Sequence, residues 1–302
     1  MLLDGFSECK ICGSVSWESA YIGPVRDGTF GRLTQPTRVG RCCGCGVECL
    51  EEGTAKGDDF YNSRDYRSLL AQPTDTNGFF AEHDILQLQN LQQLWPNSLR
   101  GKIVADIGCA AGSFLDHVRG LVSKAVAIEP CIEYHDSLSG RGYDVYSFAK
   151  DALAAGARVD WAFTFGVIEH VGNPREFLSE IGQILRSDGR ILVSTPNRKD
   201  ILMSLLPDEY PSFFYRSVHR WYFDRESLAY CARQAGLKVV EIRCAHRFGL
   251  SNAMTWLRDR RPGGRVVLPY LGMALFDDLW ARGLEVQDAG DYLFAVLARD
   301  DG

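Results

Sequence analysis

No stretch of the 302 residues approaches the roughly 20 consecutive apolar residues that a transmembrane helix needs. The opening residues, MLLDGFSECKICG, lack a basic flank and a long apolar core, so they do not read as a secretory leader. Positive charge is also scarce: 33 Lys and Arg stand against 39 Asp and Glu, a net charge of −6. Wrapping a nucleic acid depends on neutralising phosphates with those cations, so neither nucleic acid nor membrane is expected as a partner. Internal repeats and low-complexity tracts are absent. These absences point to a soluble globular protein, expected in the cytoplasm and free to form a homodimer. Hydrophobic residues at 46% and charged residues at 24% are ordinary for such a chain. The length suits one large α/β domain with a small appendage.

What the sequence does hold is cysteine in an uneven distribution. Six of the ten, Cys9, Cys12, Cys42, Cys43, Cys45 and Cys49, fall in the first 49 residues. Such clustering reads as a metal site in a reduced compartment rather than a disulfide framework. CKICG and CCGCG form two C-x-x-C-G units separated by 29 residues. Each tight turn can hold half of a tetrahedral zinc, which makes Cys9, Cys12, Cys42 and Cys45 the expected ligands of a closed, structural Zn2+ site. A redox dithiol or buried free thiols are the alternatives. A redox C-x-x-C opens a helix in a thioredoxin-like unit, and no such pattern is visible. Cys43 and Cys49 are spare sulfurs beside the set.

The chain then changes character. Residues 1–50 read as the zinc-binding module, 51–80 as a polar, aromatic connector packing near a cofactor, and 81–302 as the catalytic domain. In AEHDILQLQNLQQLWP, helical spacing puts Ile85, Leu88, Leu91, Gln92 and Trp95 on one face, with Pro96 as the stop. From residue 102 strands and helices alternate: KIVADIG, KAVAIEP, YDVYSF, VDWAFTF, GRILVSTPN, LKVVEIRC and DYLFAVLAR as strands, with SFLDHVRGLV, PREFLSEIGQIL and RESLAYCARQAG as helices. That alternation predicts a parallel, Rossmann-like α/β sheet covered on both faces, interrupted by insertions at 197–222 and 246–289.

The sharpest signal is VADIGCAAGSFLD at 104–116. A strand runs into Gly108-Cys109-Ala110-Ala111-Gly112 and a helix follows. The spacing is G-x-x-x-G, not the dinucleotide G-x-G-x-x-G, which disfavours NAD. Asp106 precedes the turn, where its carboxylate can steer loop amides or accept from a cationic ligand. Glu129 ends the second strand, where an acid can accept both hydroxyls of a ribose.

D-x-G-C-x-x-G followed by E-P resembles the class I S-adenosylmethionine-dependent methyltransferases, as do DWAFTFGVIEHV and LRSDGRILVSTPN, over residues 80–298. The resemblance implies a seven-stranded sheet in the order 3-2-1-4-5-7-6 with the seventh strand antiparallel. It implies Asp106, Gly108, Cys109 and Gly112 around the methionine part of S-adenosyl-L-methionine, Glu129 and Pro130 at the ribose, and Phe165 and Gly166 on the far side. Where the family often has an acid for the adenine, this chain has Ser147-Phe148-Ala149, so stacking on Phe148 or backbone contacts take that place. The N-terminal cysteine module and the connector FYNSRDYRS resemble bacterial sugar and natural-product methyltransferases, which implies Tyr61 and Tyr66 near the cofactor and a small-molecule, nucleotide-linked sugar acceptor. Carbon-methylating members are longer, so O-methylation is expected.

His170, after the fourth strand, could take a proton from a substrate hydroxyl as the methyl arrives, with Glu169 orienting it. An E-H pair at that place also serves only to shape the pocket. His219, in FFYRSVHRWYF, is the rival base, among Tyr215, Arg216, Arg220 and Tyr222 that could line a polar substrate. RDRRPGGR at 258–265 could meet a diphosphate or lie solvated. His83, His117, His135 and His246 lack motif support and read as surface or structural. An RNA methyltransferase and a non-enzymatic adaptor are the competing functions. The acidic balance disfavours the first, and the complete Asp106, Gly108, Gly112 and Glu129 set disfavours the second.

Overall fold

A computed structural model describes residues 5–63, 65–71, 75–94, 98–262, 264 and 266–300. Trp95, Pro96 and Arg265 lie outside the described residues. In chain order the strands are β1 (Trp17–Gly23), β2 (Thr37–Cys42), β3 (Glu48–Leu50), β4 (Ile103–Ile107), β5 (Lys124–Ile128), β6 (Asp144–Tyr146), β7 (Val159–Phe165), β8 (Leu185–Pro196), β9 (Trp221–Tyr222), β10 (Leu237–Ala245) and β11 (Tyr292–Arg299). They form a four-stranded sheet, β1-β2-β3-β9, and a seven-stranded sheet, β10-β11-β8-β7-β4-β5-β6. Counting β4 as the first strand, the larger sheet has the expected order 3-2-1-4-5-7-6. The ladders of β4 with β5 and β7, of β5 with β6 and of β7 with β8 are parallel. The sheet as a whole is mixed, so its departure from parallel lies with β11 and β10.

Compactness divides the chain into two units: Met1–Ala55, Thr195–Tyr230 and Ile242–Phe294 in the first, Lys56–Ser194, Cys231–Glu241 and Ala295–Gly302 in the second. In the second unit, the run IVADI is buried because parallel strands are covered on both faces, and its residues therefore need not alternate. Register pairs Asp106 with Ala127 and Ile107 with Ile128, so β4 and β5 deliver their last residues side by side. Helix Ser113–Val118 follows the turn after β4, and helix Pro174–Ile184 is capped by Asn173, whose side chain accepts from Glu176 N, with proline in the first turn.

The helix expected around residues 81–95 is present, and its buried face is not its apolar stripe. Helix Thr76–Gln92 leaves Ile85 64% and Leu88 46% exposed, whereas Phe79, Asn90 and Leu94 are buried. Positions 79, 83, 90 and 94 also recur at helical spacing. The polar partners decide between the two faces: Asp84 accepts from Ser113 Oγ at 2.6 Å, and its carbonyl lies 3.0 Å from His117 Nε2. The apolar stripe of Ile85 and Leu88 is therefore not the face this helix buries.

In the first unit, the cysteine-rich segment does not close on itself. β3 takes β9 as its next strand, with Glu48 opposite Tyr222 and Cys49 opposite Trp221. The segments read from sequence as insertions carry helices Ile201–Leu205, Tyr210–Phe214, Leu250–Asp259 and Ala274–Val286. Val25, Val39, Leu50, Leu206, Tyr215, Tyr222 and Trp256 share one buried cluster, so the N-terminal residues and these helices fold as one body.

Candidate functional site

The turn after β4 is held in a conformation that side chains resist. Gly108 and Gly112 have φ of +76° and +84°, and a Cβ on them would lie 2.6 Å from Val167 Cγ2 and 2.7 Å from Leu138 Cδ2. Ala110 also has positive φ, +47°, and its N–H donates to Glu129 Oε2 at 2.7 Å. Cys131 N donates to the other oxygen, Oε1, at 2.8 Å. Glu129 thus ties the end of β5 to the loop after β4. Cys109 is buried, its thiol pushed well up by burial. Pro130 follows Glu129 and is half-buried.

Two buried carboxylates share this corner. Burial, then the charge of Glu129, pushes Asp106 up to about 8. Burial raises Glu129 too, against the loop amides and the positive charge of Arg67. A corner that disfavours its own anions suits a cationic or hydroxyl-bearing ligand, and the methionine ammonium and ribose of S-adenosylmethionine carry both features. Arg67 escaped the sequence reading. It is buried, donates from Nε to Tyr134 Oη at 2.9 Å and lies 4.3 Å over the Phe79 ring. The connector's Y-R spacing was its only signal.

The connector tyrosines reach the residue read as a base. Tyr61 Oη is 3.3 Å from His170 Nδ1, and the Tyr61 and Tyr66 rings lie 5.0 and 5.6 Å from the imidazole. Glu169 is buried beside it in sequence. Phe165 packs on Phe114 at 5.0 Å, and Gly166, with φ +66°, donates to Ser194 O at 3.0 Å. Phe148 is 43% exposed.

In the first unit the four expected cysteines converge. Their sulfurs all lie within 4.8 Å of one another, with Cys9–Cys45 at 3.7 Å and Cys12–Cys42 at 3.4 Å. A tetrahedron with metal–sulfur distances of about 2.3 Å has edges of about 3.8 Å, so the donor set fits zinc. The two turns are alike. Cys9 N donates to Ser14 O and Gly13 N to Cys9 O; Cys42 N donates to Val47 O and Gly46 N to Cys42 O. Neighbouring Cys45 and Cys9 hydrogen-bond to Cys42 and draw its thiol strongly toward thiolate. Cys43 is exposed on the turn and Cys49 is half-buried in β3, where desolvation raises its thiol.

His219 is buried, with Nε2 3.4 Å from Arg216 Nη1. In the basic run, Arg258 pairs with Asp259 at 2.6 Å and Arg260 with Glu209 at 3.7 Å, so those cations are locally matched. His83 and His135 bond to the carbonyls of Phe79 and Glu129. No helix among the described residues is long and apolar enough to cross a membrane.

Residues 80–242 match the family described as Methyltransferase domain. A ubiquinone biosynthesis O-methyltransferase of Cupriavidus pinatubonensis is 31% identical over 175 residues, 53% of this chain and 70% of that one. Its counterpart in Dinoroseobacter shibae is 29% identical over 158 residues, 48% of this chain, and the match spans 64% of that relative's length. Among solved structures, magnesium protoporphyrin IX methyltransferase of Synechocystis, with bound S-adenosylhomocysteine, aligns at 11% identity and TM-score 0.47, covering 80% of this chain and 97% of that one. An S-adenosylmethionine-dependent methyltransferase of Archaeoglobus fulgidus aligns at 16% identity and TM-score 0.48, covering 72% and 95%.

Proposed function

The chain belongs to the methyltransferase-domain family, and on that premise we propose that it moves the methyl group of S-adenosylmethionine to a hydroxyl of a small molecule. The observation that carries the reading is the pair of buried carboxylates, Asp106 and Glu129, flanking a turn with positive φ at Gly108, Ala110 and Gly112. Asp106 with Gly108, Cys109 and Gly112 holds the methionine end. Glu129 and Pro130 hold the ribose, Phe148 stacks the adenine, and Phe165, Gly166 and Tyr66 close the remaining sides. The bound cofactor supplies an electrophilic methyl on a sulfonium.

The acceptor hydroxyl is a weak nucleophile until it loses its proton. His170 takes that proton at Nε2, Glu169 orients the ring, and Tyr61 accepts from Nδ1–H. His219 is the rival for the same role. Zinc on Cys9, Cys12, Cys42 and Cys45 is structural, because four thiolates leave no open position. In this reading residues 1–50 hold the metal, 51–80 bring tyrosines to the site, and 81–302 carry the cofactor and acceptor.

The acceptor favoured is a sugar hydroxyl, nucleotide-linked or in a natural product. The relatives' names connect them with ubiquinone biosynthesis, so a phenolic hydroxyl belongs in the same test. Incubation with isotopically labelled cofactor and a panel of nucleotide sugars, phenols and RNA, read by mass spectrometry of the products, decides. A labelled sugar ether supports the reading. Labelled RNA overturns it, and cofactor binding with no turnover on any acceptor favours an adaptor.

A further inference from the structure

We propose that the outer face of helix Ala274–Val286 docks on the same face of a second copy of this chain, the two helices running antiparallel about a twofold axis between residues 280 and 281. The contact concerns the first unit alone and stands whether or not the chain transfers methyl groups.

The rotation of this helix about its own axis is fixed by its inner side. Asp277 Oδ1 accepts from Leu250 N at 2.7 Å, Trp280 Nε1 donates to His246 Nε2 at 3.1 Å, and Glu285 Oε1 accepts from His246 N at 3.2 Å. Leu284 is buried on the same side. Positions 277, 280 and 284 recur at helical spacing, so this side is spent on the fold. The opposite side cannot turn inward. It leaves Leu275, Leu279 and Val286 58%, 61% and 87% exposed, in line with exposed Arg282. Steps of four, three and four along 275, 279, 282 and 286 are those of a coiled-coil seam. Val267, Tyr270 and Met273, in the segment leading into the helix, are exposed as well. With the helix residues they offer on the order of 600 Å² of apolar surface. A stable interface takes about 800 Å² per partner, a little over half of it apolar.

The charges select the occupant. A twofold contact must be self-complementary: where one residue meets a second, the second meets the first. This seam meets that condition when laid antiparallel on itself. Leu275 then faces Val286 of the second copy, Leu279 faces Arg282, and Asp278 faces Gly283. The Arg282 stem covers Leu279 while its guanidinium reaches Asp278 of the second copy, the next position along. Asp278 and Arg282 are both exposed, and neither is spent on an ion pair among the described residues. A Cβ on Gly283 would meet nothing within 4 Å, so the position is open in one copy. Across the seam it leaves room for the axes to close to about 8 Å. A lipid surface fits this face less well. Helices that lie on membranes carry Lys and Arg along the polar side. Here Arg282 is the one cation in residues 274–286, against Asp277, Asp278 and Glu285.

Sedimentation equilibrium of the full zinc-loaded chain reads the association constant. The parent should form dimers. Asp278→Arg and Arg282→Asp each set like charges against each other at two symmetric places, and each should weaken association at least tenfold. The double variant reverses the pairing without removing it, and should recover most of the loss. Gly283→Leu should also weaken association at least tenfold with far-UV circular dichroism unchanged, because nothing in its own chain meets the new side chain. A parent that is monomeric at every concentration overturns the proposal. So does a dimer indifferent to Gly283→Leu, or a double variant no better than the single ones. Flotation with vesicles of phosphatidylcholine and phosphatidylglycerol supplies the last arm: a monomer that floats with them assigns the face to lipid and overturns the second copy.

Discussion

Tyr61 Oη stands 3.3 Å from His170 Nδ1, joining the connector to the loop after β7. A hydroxyl can donate or accept in that contact, and the direction fixes the imidazole's chemistry. When Tyr61 accepts, Nδ1 keeps the proton and Nε2 is left as a base. His170→Ala should then lower turnover by roughly 10²–10⁴-fold while cofactor affinity holds. Tyr61→Phe should cost less, since it removes the orienting partner and not the base. His219→Ala should chiefly raise the KM for the acceptor. Single-turnover kinetics checks all three, and turnover lost in the His219 variant but kept in the His170 variant moves the base to the first unit.

The corner formed by Asp106 and Glu129 should make both stability and binding depend on pH. Asp106, raised to about 8, keeps a proton in the folded chain that the unfolded chain has lost. Its contribution is therefore best at low pH and declines as pH climbs from about 4 to about 8. Asp106→Asn should raise Tm in the ligand-free protein, more at pH 8 than at pH 5, and abolish cofactor binding. Cofactor affinity in the parent should improve between pH 6 and 8.5, because the ammonium requires the carboxylate. Glu129→Ala should weaken binding by about 1–3 kcal/mol. Calorimetry showing a flat pH profile would sink this account.

The strands of the larger sheet were legible as short apolar runs alternating with helices, whereas their order came from the resemblance to the class I methyltransferases. Gly108 and Gly112 were legible because the positive φ of that turn demands glycine, and Glu129 because an acid ends the second strand. Arg67 was not, since its partners Tyr134 and Phe79 are distant in sequence and only the folded chain brings them together. The buried face of helix Thr76–Gln92 was not legible for a related reason. Ile85 and Leu88 mark an apolar stripe, yet Asp84 has its hydrogen-bond partners on the next helix and turns the stripe outward. The pairing of β3 with β9 links residues more than 170 positions apart, Glu48 and Tyr222, and no local pattern announces it.

Zinc should be found at one equivalent per chain in protein purified without added metal. Cys45→Ser should abolish it and lower Tm, because a closed thiolate site contributes directly to folding. Cys43→Ser and Cys49→Ser should keep the full equivalent. Elemental analysis after gel filtration reads the outcome, and loss of metal in either spare-cysteine variant would redraw the ligand set.

Backbone strain in the cofactor loop gives a prediction of opposite signs at neighbouring positions. Ala110 sits at φ +47°, a region that glycine enters at no steric cost. Ala110→Gly should therefore stabilise, or at worst leave stability within about 1 kcal/mol, since the gained ease competes with unfolded-state entropy. Gly112→Ala should destabilise by about 1–3 kcal/mol, because φ is +84° and the new Cβ meets Leu138 Cδ2 at 2.7 Å. Urea unfolding of the two variants compares them.

Glu48 gathers three donors in a buried place: Arg41 Nη2 at 2.8 Å, Tyr215 Oη at 2.9 Å and Arg198 Nη1 at 3.2 Å. Arg198 in turn pairs with Asp224, which caps the following helix through Ser227 N. The network ties β3, beside the cysteine turns, to both segments around β9. Glu48→Gln keeps the shape and removes the charge, leaving two guanidinium groups facing a neutral amide. Removing one member of a buried ion pair costs about 3–5 kcal/mol, and the retained amide oxygen recovers part of that, so a loss of about 2–4 kcal/mol is expected. Tyr215→Phe should cost about 1 kcal/mol, the net worth of one hydrogen bond. Because the residues proposed to hold the cofactor lie in the second unit, Glu48→Gln should lower Tm while S-adenosylmethionine affinity measured well below the transition stays unchanged. A variant that keeps its Tm would show that the two arginines find other acceptors, and that the fold of the first unit does not depend on this carboxylate.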